Sequence, residues 1–313
     1  FDDARLAIAL MRTAVRLGAA AVNYVEVANI AVSNGRVDVV SITDIVTGES
    51  FRLHAKVVFN ATGVWADDLR QRAELSSALT TASRGSHIVL PASYLPGTTG
   101  MLIPRTIDDR LLFVIPWHGR LMLGTTDIAA KGPTWQPAAS EAEIDFIIDT
   151  ARTYLEKPIS SSDVLATFAG LRPLFSPRAA AATRTISREH AIVIEHHNLI
   201  TIVGGKWTTY RKMALDALDQ AAKAGLIDAR PCVTAELKLD VDPAIEAANA
   251  AAEKAALAHD NANAIATFAR LAARYEQAVH AEDVIARRLR ISTLDAAAAA
   301  RVEPLVTAAI SAR

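Results

Sequence analysis

"VGGKWTTYRKMALDAL", residues Val203–Leu218, begins as the apolar end of a strand. It turns on two glycines, shows a lysine and becomes an amphipathic helix. Backbone N–H groups at a helix start have no partner within the helix and attract anions and electron-rich oxygens. Gly204 and Gly205 would let a ligand come close to the main chain. Lys206, Thr208 and Thr209 ring the turn with polar heads. An ordinary strand–turn–helix junction shares this pattern, so the stretch alone leaves junction and ligand site side by side.

Working outward, "HAIVIEHHNLITIV" before it reads as two strands joined at His196–Asn198. Nearer the start, "FDDARLAIALM" reads as a helix with Asp2 and Asp3 in its first turn. "VNYVEVANIAV" and "VDVVSITDIV" read as strands around an Asn34-Gly35 hairpin turn. "SFRLHAKVVFNATG" completes a three-stranded meander on this reading. Its apolar last strand enters a Gly turn before helical "WADDLRQRAEL", which is how an open α/β sheet presents a ligand edge. From Ser83 to Asp127 the pattern is β again, and Glu141–Leu155 reads as a helix. "SSDVLATFAGLRPLF" reads as helix-poor and ending in a Pro-bounded turn. Beyond about residue 230 the chain becomes Ala-rich and helical.

The chain has 313 residues and a net charge of −1. That balance argues against a protein built to coat nucleic acid. The single cysteine, Cys232, excludes an internal disulfide framework and any multi-Cys metal site, and a reducing cytosol suits it. The longest uncharged stretch, His87–Pro104, carries Pro91, Pro96, Gly97 and Gly100, so it does not read as a spanning helix. The chain opens inside a helical pattern without Met, which raises the expectation of a fragment.

There is no G-x-G-x-x-G, no P-loop, no zincin motif and no nucleophile elbow. His196-His197 reads as a solvated turn, and no metal is expected. What remains is an ordered series of short motifs at strand ends: "NATGVW" (Asn60–Trp65), "RGSH" (Arg84–His87), "GTTD" (Gly124–Asp127), "GLRPL" (Gly170–Leu174), "SRE" (Ser187–Glu189) and "GGKWTTYRKM". Each alone has an ordinary explanation, such as a turn residue or a packed imidazole. Their order resembles the FAD-dependent glycerol-3-phosphate dehydrogenases of the aerobic type, a branch of the glucose-oxidoreductase-like flavoenzymes that includes amino-acid oxidases. "VVFNATGVWADDL", "RGSHIVLP", "IPWHGRLMLGTTD", "FAGLRPL", "SREHAIV" and "LITIVGGKWTTYRKMA" carry the likeness, which extends over essentially the whole chain. "GGKWTTYRKMA", "GTTD" and "RGSH" are specific to this branch, whereas "NATG" is common to many FAD proteins.

The resemblance implies an α/β, FAD-dependent oxidoreductase fold, N-terminally truncated, with a β-sheet substrate region and a C-terminal helical domain. Residues 1–228 would form the incomplete oxidoreductase domain and 229–313 the helical one. The G-x-G-x-x-G unit that opens the family and holds the FAD diphosphate is missing. The implied reaction is oxidation of sn-glycerol 3-phosphate to dihydroxyacetone phosphate by hydride transfer to FAD, with electrons passed to quinone. Arg172 and Arg188 are the implied phosphate ligands, since a planar guanidinium donates two parallel hydrogen bonds. Two cations suit a dianion, whereas an amino-acid oxidase needs one Arg for a carboxylate. His87 is a candidate base because imidazole titrates near working pH. Lys206 would lie near substrate and flavin and stabilise developing negative charge. Whether His87 or Lys206 takes the proton stays open.

The helix start formed by Gly204, Gly205, Trp207, Thr208 and Thr209 would face the flavin pyrimidine, and Thr62 and Gly63 would pass the dinucleotide. Thr126 and Asp127 either support the site or shape a turn. The competing expectations are a related amine or amino-acid oxidase and a non-catalytic remnant. Glycerol 3-phosphate and quinone are the expected small-molecule partners. A homodimer and peripheral membrane contact are left open. The basic cluster "RRLR" (Arg287–Arg290) serves membrane contact no better than it serves a solvated helix face. The expected location is the cytoplasm, with the inner face of the cell membrane as the alternative.

Overall fold

A computed structural model describes residues 2–106, 110–176 and 189–312. Helix α1 (Asp3–Arg16) starts where the Asp2 carboxylate accepts from the Arg5 N–H at 3.0 Å. Strands β1 (Val25–Ser33) and β2 (Arg36–Asp44) meet at Asn34-Gly35, both at positive φ (51° and 72°), the conformation a two-residue hairpin with matching twist requires. Strand β3 (Ser50–Leu53) pairs with β2 and ends the meander.

The expected continuation of that meander into "KVVFNATG" does not occur. Strand β4 (Val58–Asn60) leaves and pairs in parallel with β12 (Leu199–Gly204), whose other neighbour is β11 (His190–Glu195). Asn198 makes the break. Its side chain accepts from Val37 N–H at 2.8 Å and donates to the Val37 carbonyl at 3.0 Å, and its carbonyl accepts from Val58 N–H at 2.9 Å. One residue thus ties the meander to the new sheet. The hairpin turn before it holds His196 and His197 at positive φ.

After β4 a short 3-10 turn (Gly63–Trp65) leads into α2 (Ala66–Arg72). The Arg70 guanidinium is buried and fully engaged. It reaches Glu195 at 2.7 and 2.8 Å, Asp67 at 2.9 Å and the Ser77 hydroxyl at 3.0 Å. Asp67 also accepts from the N–H groups of Leu79 and Thr80. A buried charge survives only with such partners. Here they lock the "NATGVW" turn between the mixed β11-β12-β4 sheet and strand β5 (Thr80–Pro91) of the next one.

This third sheet has six strands. Its path is β10 (Ala166–Phe175), β5 (Thr80–Pro91), β8 (Arg120–Gly124), β7 (Leu112–Trp117) and β6 (Met101–Ile103), with β9 (Ile128–Ala129) beside β5. Helix α3 (Glu141–Arg152) covers one face, packing Ile147, Ile148 and Ala151 on Ile88, Leu90, Leu112, Val114, Leu121 and Leu123. The segment read as helix-poor is so, but it does not end in a Pro-bounded turn: β10 runs on through Pro173 to Phe175. Pro173 is tolerated because β10 ends the sheet path, where one edge needs no donor.

Helix α4 (Tyr210–Lys223) follows the Gly204-Gly205 turn. Helices α5 (Pro243–Ala258), α6 (Ala262–Tyr275), α7 (Ala281–Ile285), α8 (Ile291–Leu294) and α9 (Ala296–Ser311) share a core that includes Ile265, Phe268, Val284, Leu289 and Val306. Polar pairs join this core to the rest: Arg5 to Glu246 and Glu276, Tyr24 to Asp283, Arg120 to Asp295, and Arg290 to Asp2. The basic cluster is not a solvated face. Arg288 and Arg290 are buried in ion pairs with Asp283, Glu253 and Asp2, and only Arg287 is surface-facing.

Gly204 and Gly205 sit at φ 72° and 78°. A Cβ on Gly204 would overlap the Glu189 carbonyl of the neighbouring strand, and one on Gly205 would meet Met213 Sδ at 2.5 Å. The approach these glycines demonstrably permit is by the protein's own atoms. Gly204→Ala is expected to cost at least about 2 kcal/mol, from backbone strain plus displacement of β11. A denaturant midpoint that does not move would contradict this.

Candidate active site

The face of the six-stranded sheet opposite α3 gathers the chemistry. Strand register sets Phe168, His87, Gly124, Phe113 and Leu102 in one row across five strands. Two residues along, Gly170 lies beside Gly85, and two further, Arg172 lies beside Ser83. Side chains at i and i+2 share a face, so His87 and Arg172 project on the same side.

Glycines shape this face. A Cβ on Gly124 would overlap the His87 ring, and one on Gly85 would overlap the Arg172 guanidinium. Among the described residues, a Cβ on Gly170 would meet nothing within 4 Å. His87 and Arg172 therefore lie flat on glycine, with open space beside them. The Arg172 guanidinium donates to Thr125 Oγ1 at 2.9 Å and to the Thr126 carbonyl at 3.3 Å.

His87 stacks nearly parallel on Phe168, with ring centroids 4.8 Å apart and planes at 7°. Its Nδ1 is buried and, among the described residues, has no hydrogen-bond partner. Burial, followed by the Arg172 charge, pushes the imidazole pKa down to about 4. His87 is thus neutral at pH 7, and the expectation that it titrates near working pH does not hold in this packing, because burial disfavours the imidazolium. Its ring resonances are expected to titrate near 4 in an NMR pH series, and a midpoint near 6.5 would contradict the packing. The unfolded chain binds the extra proton already near 6.5. Between those values it binds more protons than the folded one, so this group lowers stability as pH falls from 6.5 through 4.

Thr126 points the other way. Its hydroxyl donates to buried Glu143 at 2.7 Å, while Asp127 accepts from the Ser83 hydroxyl. Both residues hold the "GTTD" segment against β5. Thr62 donates to Asn60 Oδ1 at 2.7 Å, and the Asn60 amide donates to the Ala66 carbonyl at 2.9 Å, so this side chain builds the turn. Gly63 sits at φ 62°, and a Cβ on it would lie 4.0 Å from Pro173, next to Arg172. Trp65 from the same turn stacks on Trp135 at 4.3 Å.

Lys206, Trp207, Thr208 and Thr209 are exposed. The Thr209 hydroxyl donates to the Lys206 carbonyl at 2.9 Å. The end of β12 approaches the far end of β10, with a Cβ on Gly204 lying 3.4 Å from Phe175. Arg188 lies outside the described residues. Gly85, Thr125 and Phe168 lie inside "RGSH", "GTTD" and "FAGLRPL" without being singled out there, and Glu143 lies in none of the motifs. Phe168 meets His87 only through the pairing of β10 with β5, which local sequence does not signal.

An imidazole and a guanidinium thus share a glycine floor on one face of an antiparallel sheet. The chain belongs to the FAD dependent oxidoreductase family, whose model matches residues 1–211. It is homologous to glycerol-3-phosphate dehydrogenases. It is 40% identical over 242 residues to the mitochondrial enzyme of Arabidopsis thaliana, covering 76% of this chain and 38% of that one. It is also 40% identical over 247 residues to the mitochondrial enzyme of Homo sapiens, covering 76% and 34%. The glycerol-3-phosphate dehydrogenase from Bacillus halodurans, solved with FAD, superposes with a TM-score of 0.78 at 25% identity, over 99% of this chain and 69% of that one. The chain thus spans little more than a third of the length of these curated relatives. Among the described residues no helix is long and apolar enough to cross a membrane.

Proposed function

We propose that this chain carries the substrate-binding face of an FAD-dependent dehydrogenase that oxidises sn-glycerol 3-phosphate to dihydroxyacetone phosphate. The observation that carries it is the neutral His87 and the cationic Arg172 on one sheet face beside the open space at Gly170. Arg172 holds the phosphate, and Arg188 is its second ligand by family resemblance. His87 receives the C2 hydroxyl proton, and Lys206 stabilises negative charge near the flavin. Residues 1–228 form the oxidoreductase part and 229–313 the helical part.

The residues present fit one end of FAD. The Gly204-Gly205 turn opens a helix of 14 residues behind the exposed polar groups of Lys206, Thr208 and Thr209. Helix-start N–H groups and their dipole suit an electron-rich ring edge. Gly204, Gly205, Trp207, Thr208 and Thr209 are assigned to that edge, and Thr62 and Gly63 to the dinucleotide. Bound FAD supplies the hydride acceptor. Quinone as the final acceptor rests on the family resemblance. A cytoplasmic site of action rests on cysteine usage, and the curated relatives named above are mitochondrial.

The test is anaerobic mixing of the FAD-loaded chain with glycerol 3-phosphate, glycine or proline. Bleaching of the flavin bands by glycerol 3-phosphate alone is expected. Retained flavin that ignores glycerol 3-phosphate, or bleaches with an amino acid, contradicts the proposal.

A further inference from the structure

Glu143 is the N3 residue of α3 and closes a capping box: the Ser140 N–H and hydroxyl donate to its Oε2 at 3.0 and 2.8 Å. A helix start needs no more than that from an N3 acid. Yet the Glu143 side chain is only 4% exposed and takes three further donors. Arg84 reaches Oε2 at 2.6 Å, and the Ser86 and Thr126 hydroxyls reach Oε1 at 2.8 and 2.7 Å. Burial pushes this carboxyl up, but the hydrogen bonds outweigh it and hold the pKa at about 2, so the group stays ionised.

These extra bonds converge on the residues beneath the candidate site. Ser86 lies between Gly85 and His87 on β5. Its N–H donates to Thr126 Oγ1 at 2.9 Å, and its carbonyl accepts from the Thr126 N–H at 3.4 Å. Thr126 is therefore held by side chain and backbone from the α3 side. Its carbonyl and the neighbouring Thr125 hydroxyl face the other way and receive the Arg172 guanidinium. Rotation of the Thr125–Thr126 segment would move both acceptors at once. A bidentate guanidinium is sensitive to such movement, because both donors must align with one anion.

We infer that Glu143 is a positioning residue: from the opposite side of the sheet it fixes Thr126, and through the Thr125–Thr126 segment it sets the direction in which Arg172 presents its guanidinium to an anionic substrate. This rests on the assignment of the substrate phosphate to Arg172.

The experiment measures binding of sn-glycerol 3-phosphate and inorganic phosphate to the 313-residue chain, with and without added FAD, by calorimetry and phosphorus NMR. The variants are Glu143→Gln, Thr126→Val, their double, Thr126→Ser and Arg172→Ala. Glu143→Gln and Thr126→Val are each expected to weaken phosphate binding about five- to tenfold, the equivalent of one charge-assisted hydrogen bond misplaced. The double variant should lose no more than either single one, because both cut the same connection. Thr126→Ser keeps the hydroxyl and should restore wild-type affinity.

A purely structural Glu143 would lower stability while leaving affinity unchanged. Affinity within about twofold of wild type in both single variants, with Arg172→Ala still abolishing binding, overturns the inference and leaves the phosphate assignment standing. Binding that is absent from the wild type, or indifferent to Arg172→Ala, overturns both. If Glu143→Gln does not fold, Thr126→Val against Thr126→Ser decides alone.

Discussion

Arg172→Ala is expected to raise KM for glycerol 3-phosphate by about a hundred- to a thousandfold while lowering kcat much less. Removing one partner of a desolvated charge pair costs about 2–5 kcal/mol, and each 1.4 kcal/mol is roughly tenfold. The effect falls on KM because the phosphate does not react, so its binding is shared by ground and transition states. Arg172→Lys should recover little. The ammonium keeps the charge but not the planar fork, and the paired acceptors at Thr125 and Thr126 are placed for two guanidinium nitrogens. Steady-state kinetics with and without added phosphate would measure both parameters. A loss confined to kcat would show that Arg172 serves the reacting carbon instead.

The second large effect concerns His87, and it is reachable from a residue distant in sequence. His87→Asn should lower kcat by about a hundred- to ten-thousandfold, the range that loss of a general base produces. Gly124→Ala should do nearly the same. A Cβ there would occupy the space of the His87 ring, which is held from its other side by Phe168. The ring must leave its stacked position, and with it goes the burial that keeps it neutral. Flavin reduction under single-turnover conditions would compare the two variants. A Gly124→Ala chain that folds and reduces at the wild-type rate would remove His87 in its present pose from the reaction.

Much of this was legible in the sequence because local chemistry agreed with the fold. Asn34-Gly35 predicts a hairpin turn and forms one. The "RGSH" and "GLRPL" motifs sit on adjacent strands, which puts His87 and Arg172 on one face. What stayed hidden depends on long-range neighbours. Gly170 and Pro173 argue locally against a strand, yet β10 accepts both, one as open space beside the site and the other on an outer strand. The departure of β4 from the meander is set by Asn198, far along the chain. The arginines of "RRLR" look solvated until Asp2, Glu253 and Asp283 arrive to bury them. Glu143 reads as a helix-capping acid, and only the packing of α3 under β5 shows what else it holds.

The assignment of the substrate phosphate to Arg172, rather than to the exposed helix start at Lys206, is the central claim. The most direct measurement is therefore a crystal structure of the FAD-loaded chain with sn-glycerol 3-phosphate. The phosphate is predicted within hydrogen-bonding distance of the Arg172 guanidinium, with the C2 hydroxyl at His87 and the carbon chain over Gly170. A phosphate seated instead at the start of α4 beside Lys206, with Arg172 still turned to Thr125 and Thr126, would contradict it.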